Sequence, residues 1–317
     1  MSLAGSPLTV HPVPGPGAED VVVAPDGSVY TGTENGVVWR LSPDGTRIDR
    51  VADTGGRPLG LELFDNGDLL VCDATRGLLV VHQDGVVEEL VTRVDGVPMR
   101  FCNNAAIAAD GTIWFSDSSQ LYGVERWKDD FVQDTRTGRL LRRDPDGSVS
   151  VVLQGLAFAN GVALSAGEEF VAVAETGART VVRYWLTGAR SGQRDFLCTD
   201  LPGYPDNISR GSDGLVWVTI ASPRDALVER LKRAPLPLRK VVTRIPDALQ
   251  PKPRRTIRVQ AFDDEGRLVH DLDLQHPDYH MVTGVREHQG RVWMGSLDEP
   301  AVAVHDLVLR STDRTAD

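Results

Sequence analysis

The sequence predicts an all-β protein, a six-bladed β-propeller with a metal ion on its central axis and a helical insertion over one rim. Three observations carry this. A strand–turn–strand unit recurs six times along the 317 residues. In four of the six copies an oxygen-bearing side chain opens the first strand, eight residues before the turn glycine or, in one copy, before the residue that follows it. One stretch, 223–255, departs from the strand pattern and spaces its apolar residues as a helix does.

The six copies read EDVVVAPDGSVYTGTE from Glu19, LGLELFDNGDLLVCDA from Leu59 and NNAAIAADGTIWFSDS from Asn103. They continue as NGVALSAGEEFVAVAE from Asn160, DNISRGSDGLVWVTIA from Asp206 and VTGVREHQGRVWMGSL from Val282. Asp-Gly and Asn-Gly between two apolar runs are strong short-range hairpin signals. Further strands follow most copies, at 37–45, 78–85, 139–147 and 181–188. Repeats of roughly 40–50 residues built from several strands indicate a propeller, which leaves few open sheet edges. The last copy is followed only by 301–309, so the N-terminal stretch 8–13 is expected to supply its missing outer strand. The whole chain, 1–317, then reads as one domain.

Two segments fall outside the repeat. Residues 122–134 (YGVERWKDDFVQD) form a polar-aromatic insertion near the rim. Residues 223–255 place Leu227 and Leu231, then Val241, Val242, Ile245 and Leu249, at helical spacing, with prolines between. This stretch holds ten Lys/Arg against three Asp/Glu. Three readings fit it: a capping helix pair with a solvated basic face, a lid over the channel mouth, or a patch for peripheral membrane contact.

In a propeller the first strand of each blade lines the channel, so the six opening residues converge at one end. They are Glu19, Leu59, Asn103, Asn160, Asp206 and Val282. Counting back eight from Gly27, Gly111 and Gly214 gives Glu19, Asn103 and Asp206, and counting back from Glu168, just after Gly167, gives Asn160. Carboxylate and amide oxygens suit a hard cation, whereas zinc would recruit His or Cys. Two carboxylates nearly neutralise a divalent ion, and the irregular geometry of separate blades favours Ca²⁺ over Mg²⁺. Asn104 and Asn207, next in sequence, are placed to join or orient the ligands. Phe101, Tyr122, Trp127, Phe158, Tyr204 and Thr283 are candidate substrate-binding residues for a small molecule. His280, before the sixth inner strand, is a candidate proton shuttle.

Composition narrows the rest. Hydrophobic content of 41% with 25% charged residues is that of a globular protein with an ample core. A net charge of −11 argues against a nucleic-acid partner. Cys72, Cys102 and Cys198 are three, without CxxC spacing, and read as small buried hydrophobes. The N-terminus shows no signal-peptide pattern and no apolar run reaches ~18 residues, so a cytoplasmic location is expected.

The runs RFCNNAAIAADGTIWFSDSS, TGRLLRRDPDG, GLAFANGVALS, ETGARTVVRYWLTG and LPGYPDNISRGSDGLVWVTIAS resemble the strictosidine synthase-like family. The resemblance runs from about Gly17 to Leu309 and includes RDALVERL, LPLRK and ALQPK of the insertion. It implies kinship with paraoxonases, gluconolactonases and diisopropyl-fluorophosphatase, six-bladed propellers with axial Ca²⁺. Carried over, their ligands fall on Glu19, Asn103, Asn160 and Asp206, with Asn207 alongside. The implied activity is calcium-dependent hydrolysis of a lactone, ester or related electrophile, with Asp206 as general base or nucleophile. Two departures bear on this. The catalytic glutamate of strictosidine synthase falls at or near Thr283, and the paraoxonase histidine of the second blade falls on Leu59 in the RPLG turn. The other implied classes are a condensing or rearranging enzyme of natural-product metabolism that lacks this glutamate, and a non-catalytic binding propeller with structural calcium.

Overall fold

The computed structural model describes residues 8–245 and 254–307. Leu249 and positions 308–309, which the sequence reading placed on the insertion and on the last strand, lie outside them. Six four-stranded antiparallel sheets follow one another along the chain as six blades. Their inner strands are Val21–Val23, Pro58–Leu63, Cys102–Ile107, Ala159–Leu164, Gly203–Arg210 and Val282–His288. In blades 1 to 5 the four strands are sequential, each pairing with the next. Blade 6 takes its outermost strand from the N-terminus: Thr9–Pro12 pairs antiparallel with Ala301–Asp306, Thr9 opposite Val304. This is the expected closure, and it joins the first and last blades by backbone hydrogen bonds.

Local chemistry explains the hairpins. In turn after turn an Asp or Asn carboxamide or carboxylate oxygen accepts the backbone N–H two residues on. Asp26 accepts from Ser28 at 2.9 Å, Asp110 from Thr112 at 2.8 Å and Asp213 from Leu215 at 3.0 Å. The glycine next to it takes the left-handed conformation, as Gly111 does at φ 85°. Between blades the sheets bury Val, Leu, Ala, Phe and Trp side chains in successive clusters, such as Leu70, Cys72, Phe115 and Leu141 between blades 2 and 3. Cys72 and Cys102 are free and buried there, as expected of small apolar residues.

The same bulge recurs in the inner strands. In blade 3, Cys102 pairs with Asp117 and Ala105 with Phe115, so Asn103 and Asn104 together face only Ser116. Equivalent shifts fall at Leu59–Gly60, Asn160–Gly161 and Asp206–Asn207, and at Thr283 in blade 6. A bulge bends the strand and re-aims the side chains it carries, here toward the axis.

Blade 6 corrects the sequence register by one. Its hairpin closes at His288–Arg291 around Gln289 and Gly290, one residue tighter than the three-residue turn that Ala108 N closes on the Thr112 carbonyl in blade 3. Counting back eight from Gly290 therefore overshoots, and the bulged residue is Thr283 rather than Val282. In blade 4 the left-handed turn position is Glu168 itself, at φ 52°, so the count to Asn160 holds.

Both insertions leave from the same end of the propeller as the bulges. Each joins the second and third strands of a blade, blade 3 for 118–137 and blade 5 for 224–256. The first carries α1 (Trp127–Gln133); the second carries α2 (Ala226–Lys232) and α3 (Leu236–Val242). Asp225 caps α2 by accepting from the N–H groups of Leu227 and Val228. α1 packs against both α2 and α3.

Candidate metal centre and pocket

The bulges and the turns before them build three stacked rings at one end of the axis. The middle ring holds Glu19, Leu59, Asn103, Asn160, Asp206 and Thr283. Of these, all but Thr283 border a cavity of about 310 Å³ under the helices. Asn103 donates from Nδ2 to Ser118 Oγ at 2.9 Å, and Asn160 donates from Nδ2 to Thr176 Oγ1 at 3.1 Å. Each amide nitrogen is thereby held by a hydroxyl, and the Asn160 amide also reaches the Asp206 carboxylate. Asn103 Oδ1, Asn160 Oδ1 and Glu19 Oε2 are buried and have no hydrogen-bond partner among the described residues. Buried acceptors left without donors are costly and uncommon. Several such oxygens on residues that border one cavity suit a hard cation. The residues present fit Ca²⁺. Among the described residues no group of three or more His, Cys, Asp or Glu side chains is placed to hold a metal, so an axial ion rests on this mixed carboxylate–amide set.

The electrostatics agree. Burial pushes the Glu19 carboxyl well above its ordinary value; Arg57 pulls it down, while Asp206 and Asp20 push it further up. Burial raises Asp206 to about 7 against the pull of the Asn160 amide. Burial also raises Asp20 to about 7, despite the N–H of Leu61 that it accepts. Three neighbouring carboxyls are thus short of positive charge.

One residue further along lies a deeper ring: Asp20, Gly60, Asn104, Gly161, Asn207 and Gly284. Polar residues alternate with glycines because each glycine is pressed against the next blade. A Cβ on Gly60 would meet Asn104 Cα at 2.5 Å, one on Gly161 would meet Ile208 N at 2.0 Å, and one on Gly284 would meet Asp20 Cα at 2.5 Å. Asp20 Oδ2 accepts from Leu61 N at 3.0 Å and from Asn104 Nδ2 at 3.3 Å, and Asn104 Oδ1 accepts from Val162 N at 2.8 Å. These bonds cross between blades and fix the floor of the site. Asn207 belongs to this ring and does not border the cavity; both its side-chain heteroatoms are buried without a partner among the described residues.

Two residues before the oxygens lies the outer ring: Gly17, Arg57, Phe101, Phe158, Tyr204 and Met281. The last four border the cavity. Phe158 and Met281 hold left-handed backbones at φ 63° and 51°, an unfavourable conformation for such side chains and one found where structure constrains function. Phe101 and Phe158 meet edge-on at 5.4 Å, and Tyr204 meets Phe131 edge-on at 4.9 Å. Gly17 makes room for Arg57, whose Nη1 donates to the Gly17 carbonyl at 3.3 Å. The roof adds Trp127, Phe131, Val228, Leu231 and Val242. The cavity is therefore an apolar chamber with oxygens at its base.

Three expected site residues lie elsewhere. His280 is turned away from the cavity: its Nδ1 bonds Glu299 and its Nε2 lies 3.3 Å from Asp298. The left-handed turn at Met281 is the cause, since it presents Met281 to the chamber in place of its neighbour. Tyr122 is not on the wall either; its hydroxyl donates to Gln133 Oε1 at 2.9 Å and its ring carries Arg126 at 4.6 Å. Thr283 is fully buried, donating from Oγ1 to the Glu19 carbonyl at 2.9 Å, and it acts as a strut between blades 6 and 1. Sequence reasoning did not single out Asp20, Arg57, Met281 or the hydroxyls of Ser118 and Thr176. Asp20 and Met281 were recoverable from the ring spacing; the others depend on tertiary contact.

A six-bladed propeller with an axial oxygen site under a helical roof is the class that the fold and site define. The chain matches the family model described as strictosidine synthase over residues 103–189, and the strictosidine synthase-like N-terminal model over 9–41. It is 35% identical to the strictosidine synthase-like 10 protein of Arabidopsis thaliana over 266 residues, 80% of this chain and 70% of that one. It is 33% identical to the adipocyte plasma membrane-associated protein of Rattus norvegicus over 313 residues, 90% and 82% of the two chains. The chain belongs to the strictosidine synthase-like family. Solved structures share its fold. A gluconolactonase from Xanthomonas campestris superposes with a TM-score of 0.69 at 18% identity, covering 95% of this chain and 89% of that one. The calcium-binding protein regucalcin from Agrobacterium tumefaciens gives 0.64 at 12% identity, covering 93% and 91%. No helix among the described residues is long and apolar enough to cross a membrane.

Proposed function

We propose that this protein is a calcium-dependent hydrolase of small apolar esters or lactones. The observation that carries the reading is the meeting of buried, donorless oxygens of Glu19, Asn103 and Asn160 with the Asp206 carboxylate at the base of one apolar chamber. Glu19, Asn103, Asn160 and Asp206 would hold the ion. When bound, calcium supplies Lewis-acid polarisation of the substrate carbonyl and stabilises negative charge on its oxygen.

The rest falls to the chain. The aromatic ring of Phe101, Phe158 and Tyr204 and the roof residues Trp127, Phe131 and Leu231 bind and orient the apolar part of the substrate and exclude water around it. Asp206 takes a proton from the attacking water as its oxygen bonds the carbonyl carbon. The carbon–oxygen bond to the alcohol portion then breaks, and Asp206 returns the proton to the departing oxygen.

Thr283 weighs against the condensing alternative. At the position where the resemblance expects a catalytic glutamate, it is buried and already donates to a backbone carbonyl. The fold neighbour named as a gluconolactonase supports the hydrolase part of the reading in kind, and the one named as a calcium-binding protein supports the choice of ion.

The test is a panel of aryl esters and aliphatic lactones assayed with calcium, after chelation, and with Asp206→Asn. Turnover that disappears on chelation, returns with calcium and is lost in a folded Asp206→Asn variant supports the reading. A protein that loads calcium and turns over nothing is a binding propeller.

A further inference from the structure

We propose that the helical roof is a docking face for an anionic lipid surface, and that docking sets the mouth of the chamber against the lipid. Large hydrophobic side chains exposed to solvent are few on this molecule, yet Leu227, Leu236, Leu238, Val241 and Ile245 are all exposed on α2, α3 and the turn after it. Leu238, Val241 and Ile245 stand at i, i+3 and i+7; α3 ends at Val242, and i→i−3 bonds, such as Ile245 N to the Val242 carbonyl at 3.1 Å, continue the turn to Ile245. They therefore form one outward stripe. Val242 and Thr243, beside the stripe, border the chamber together with Ile245, so the stripe runs along the chamber's edge.

Charge selects the occupant. Residues 223–245 carry seven Lys/Arg against two Asp/Glu, net +5, which leaves −16 for the rest of a chain of net charge −11. Arg230, Arg233, Lys240 and Arg244 are exposed and form no ion pair among the described residues. An apolar stripe flanked by free cations, on a body otherwise strongly acidic, matches the interfacial helices that bind anionic membranes and would be repelled elsewhere on the surface. A protein partner would have to be acidic and apolar at once over the same small patch. The orientation follows from Leu227 and Ile245, which are both exposed and part of the chamber wall. A surface that covers the stripe lies beside the mouth, so apolar molecules dissolved in it have a short way in.

The experiment is co-sedimentation of the full chain with phosphatidylcholine vesicles, with and without phosphatidylglycerol at roughly one part in three. Wild-type protein is expected on the anionic vesicles and not on the neutral ones, and added salt should release it. Leu238→Ser with Val241→Ser should lower the partition coefficient on the order of tenfold, and Lys240→Glu with Arg244→Glu at least as much. None of these four side chains borders the chamber, so melting temperature should stay near wild type and certify the fold. Equal partition of wild type and variants, equal binding to both vesicles, or no binding at all overturns the proposal. So does a dimer by light scattering that Leu238→Ser/Val241→Ser dissolves, since a second copy would then cover the stripe.

Discussion

Asn104 Nδ2 donates to Asp20 Oδ2 at 3.3 Å, joining the inner strands of blades 3 and 1 beneath the oxygen ring. The same Asn104 accepts from Val162 N of blade 4, and Asp20 accepts from Leu61 N of blade 2. Two side chains therefore tie four blades together. The ties are short enough only because Gly60, Gly161 and Gly284 alternate with the polar residues and let each strand press on its neighbour. The floor of the site and the closure of the propeller are one piece of structure.

Gly161→Ala tests that coupling. Its added methyl would lie 2.0 Å from Ile208 N, a backbone atom that cannot swing aside. Overpacking against backbone at a ring position should cost about 3 kcal/mol. Gly167→Ala, where the new Cβ meets only the flexible Glu169 Cγ at 3.6 Å, should change stability by about 0.5 kcal/mol or less. Urea unfolding of the two variants checks the contrast. Equal stabilities would mean that the blades are not pressed together there.

Thr176→Val removes the hydroxyl that accepts from the Asn160 nitrogen and fixes the amide. The propeller should stay folded, while calcium affinity falls roughly tenfold, the usual scale for the loss of an orienting partner. Thr176→Ser keeps the hydroxyl and should bind as wild type. Isothermal titration of chelated protein with calcium reads both, and unchanged affinity in Thr176→Val would place the metal elsewhere.

Much of this architecture is legible in the sequence because a propeller writes each structural position six times. The Asp-Gly turns fix a register, and the register alone brings Glu19, Asn103, Asn160 and Asp206 to one level. It fails at blade 6 for a local reason: the Gln289–Gly290 turn is one residue tighter, so the count falls on Val282 where the structure puts Thr283. The glycines of the deeper ring are plain in the sequence, but their meaning depends on contact between strands 40 or more residues apart, as Gly161 with Ile208. The roof was only partly readable. Helical spacing announced α2 and α3, whereas the docking of Phe131 against Tyr204 is a tertiary event with no periodic signature.

Asp117 and Arg139 form a buried pair in blade 3, with Arg139 Nε 3.2 Å from Asp117 Oδ2. Asp117 also accepts from Phe101 N at 3.2 Å, so one carboxylate anchors the wall residue two places before Asn103. Burial raises its pKa, and Arg139 holds it down in part. Asp117→Ala would strand a buried guanidinium and should cost about 3–5 kcal/mol, whereas Asp117→Leu with Arg139→Met should cost much less. Denaturant melts of the single and double variants measure the coupling. Additive losses would show that the pair is not acting as one.

Removal of calcium should make stability depend on pH in a defined direction. Asp20 and Asp206 are raised to about 7 and Glu19 is raised as well, all three by burial. Below the ordinary carboxyl value near 4 these groups are protonated in both folded and unfolded chains, and pH has no hold on them. Between there and about 7 the unfolded chain releases protons that the folded one keeps, so the folded state binds more protons and loses stability as pH rises. Above about 7 the folded protein must carry the charges itself, and the full destabilisation is present. A bound divalent cation favours the ionised carboxylates and reverses the balance, stabilising the fold most where the metal-free protein is weakest. Melting temperature in chelator should therefore fall from pH 4.5 toward 8, the calcium-loaded protein should stay nearly level, and the gap between the two should widen with pH. A gap that stays constant or narrows toward alkaline pH would show that the ion does not sit among these carboxyls.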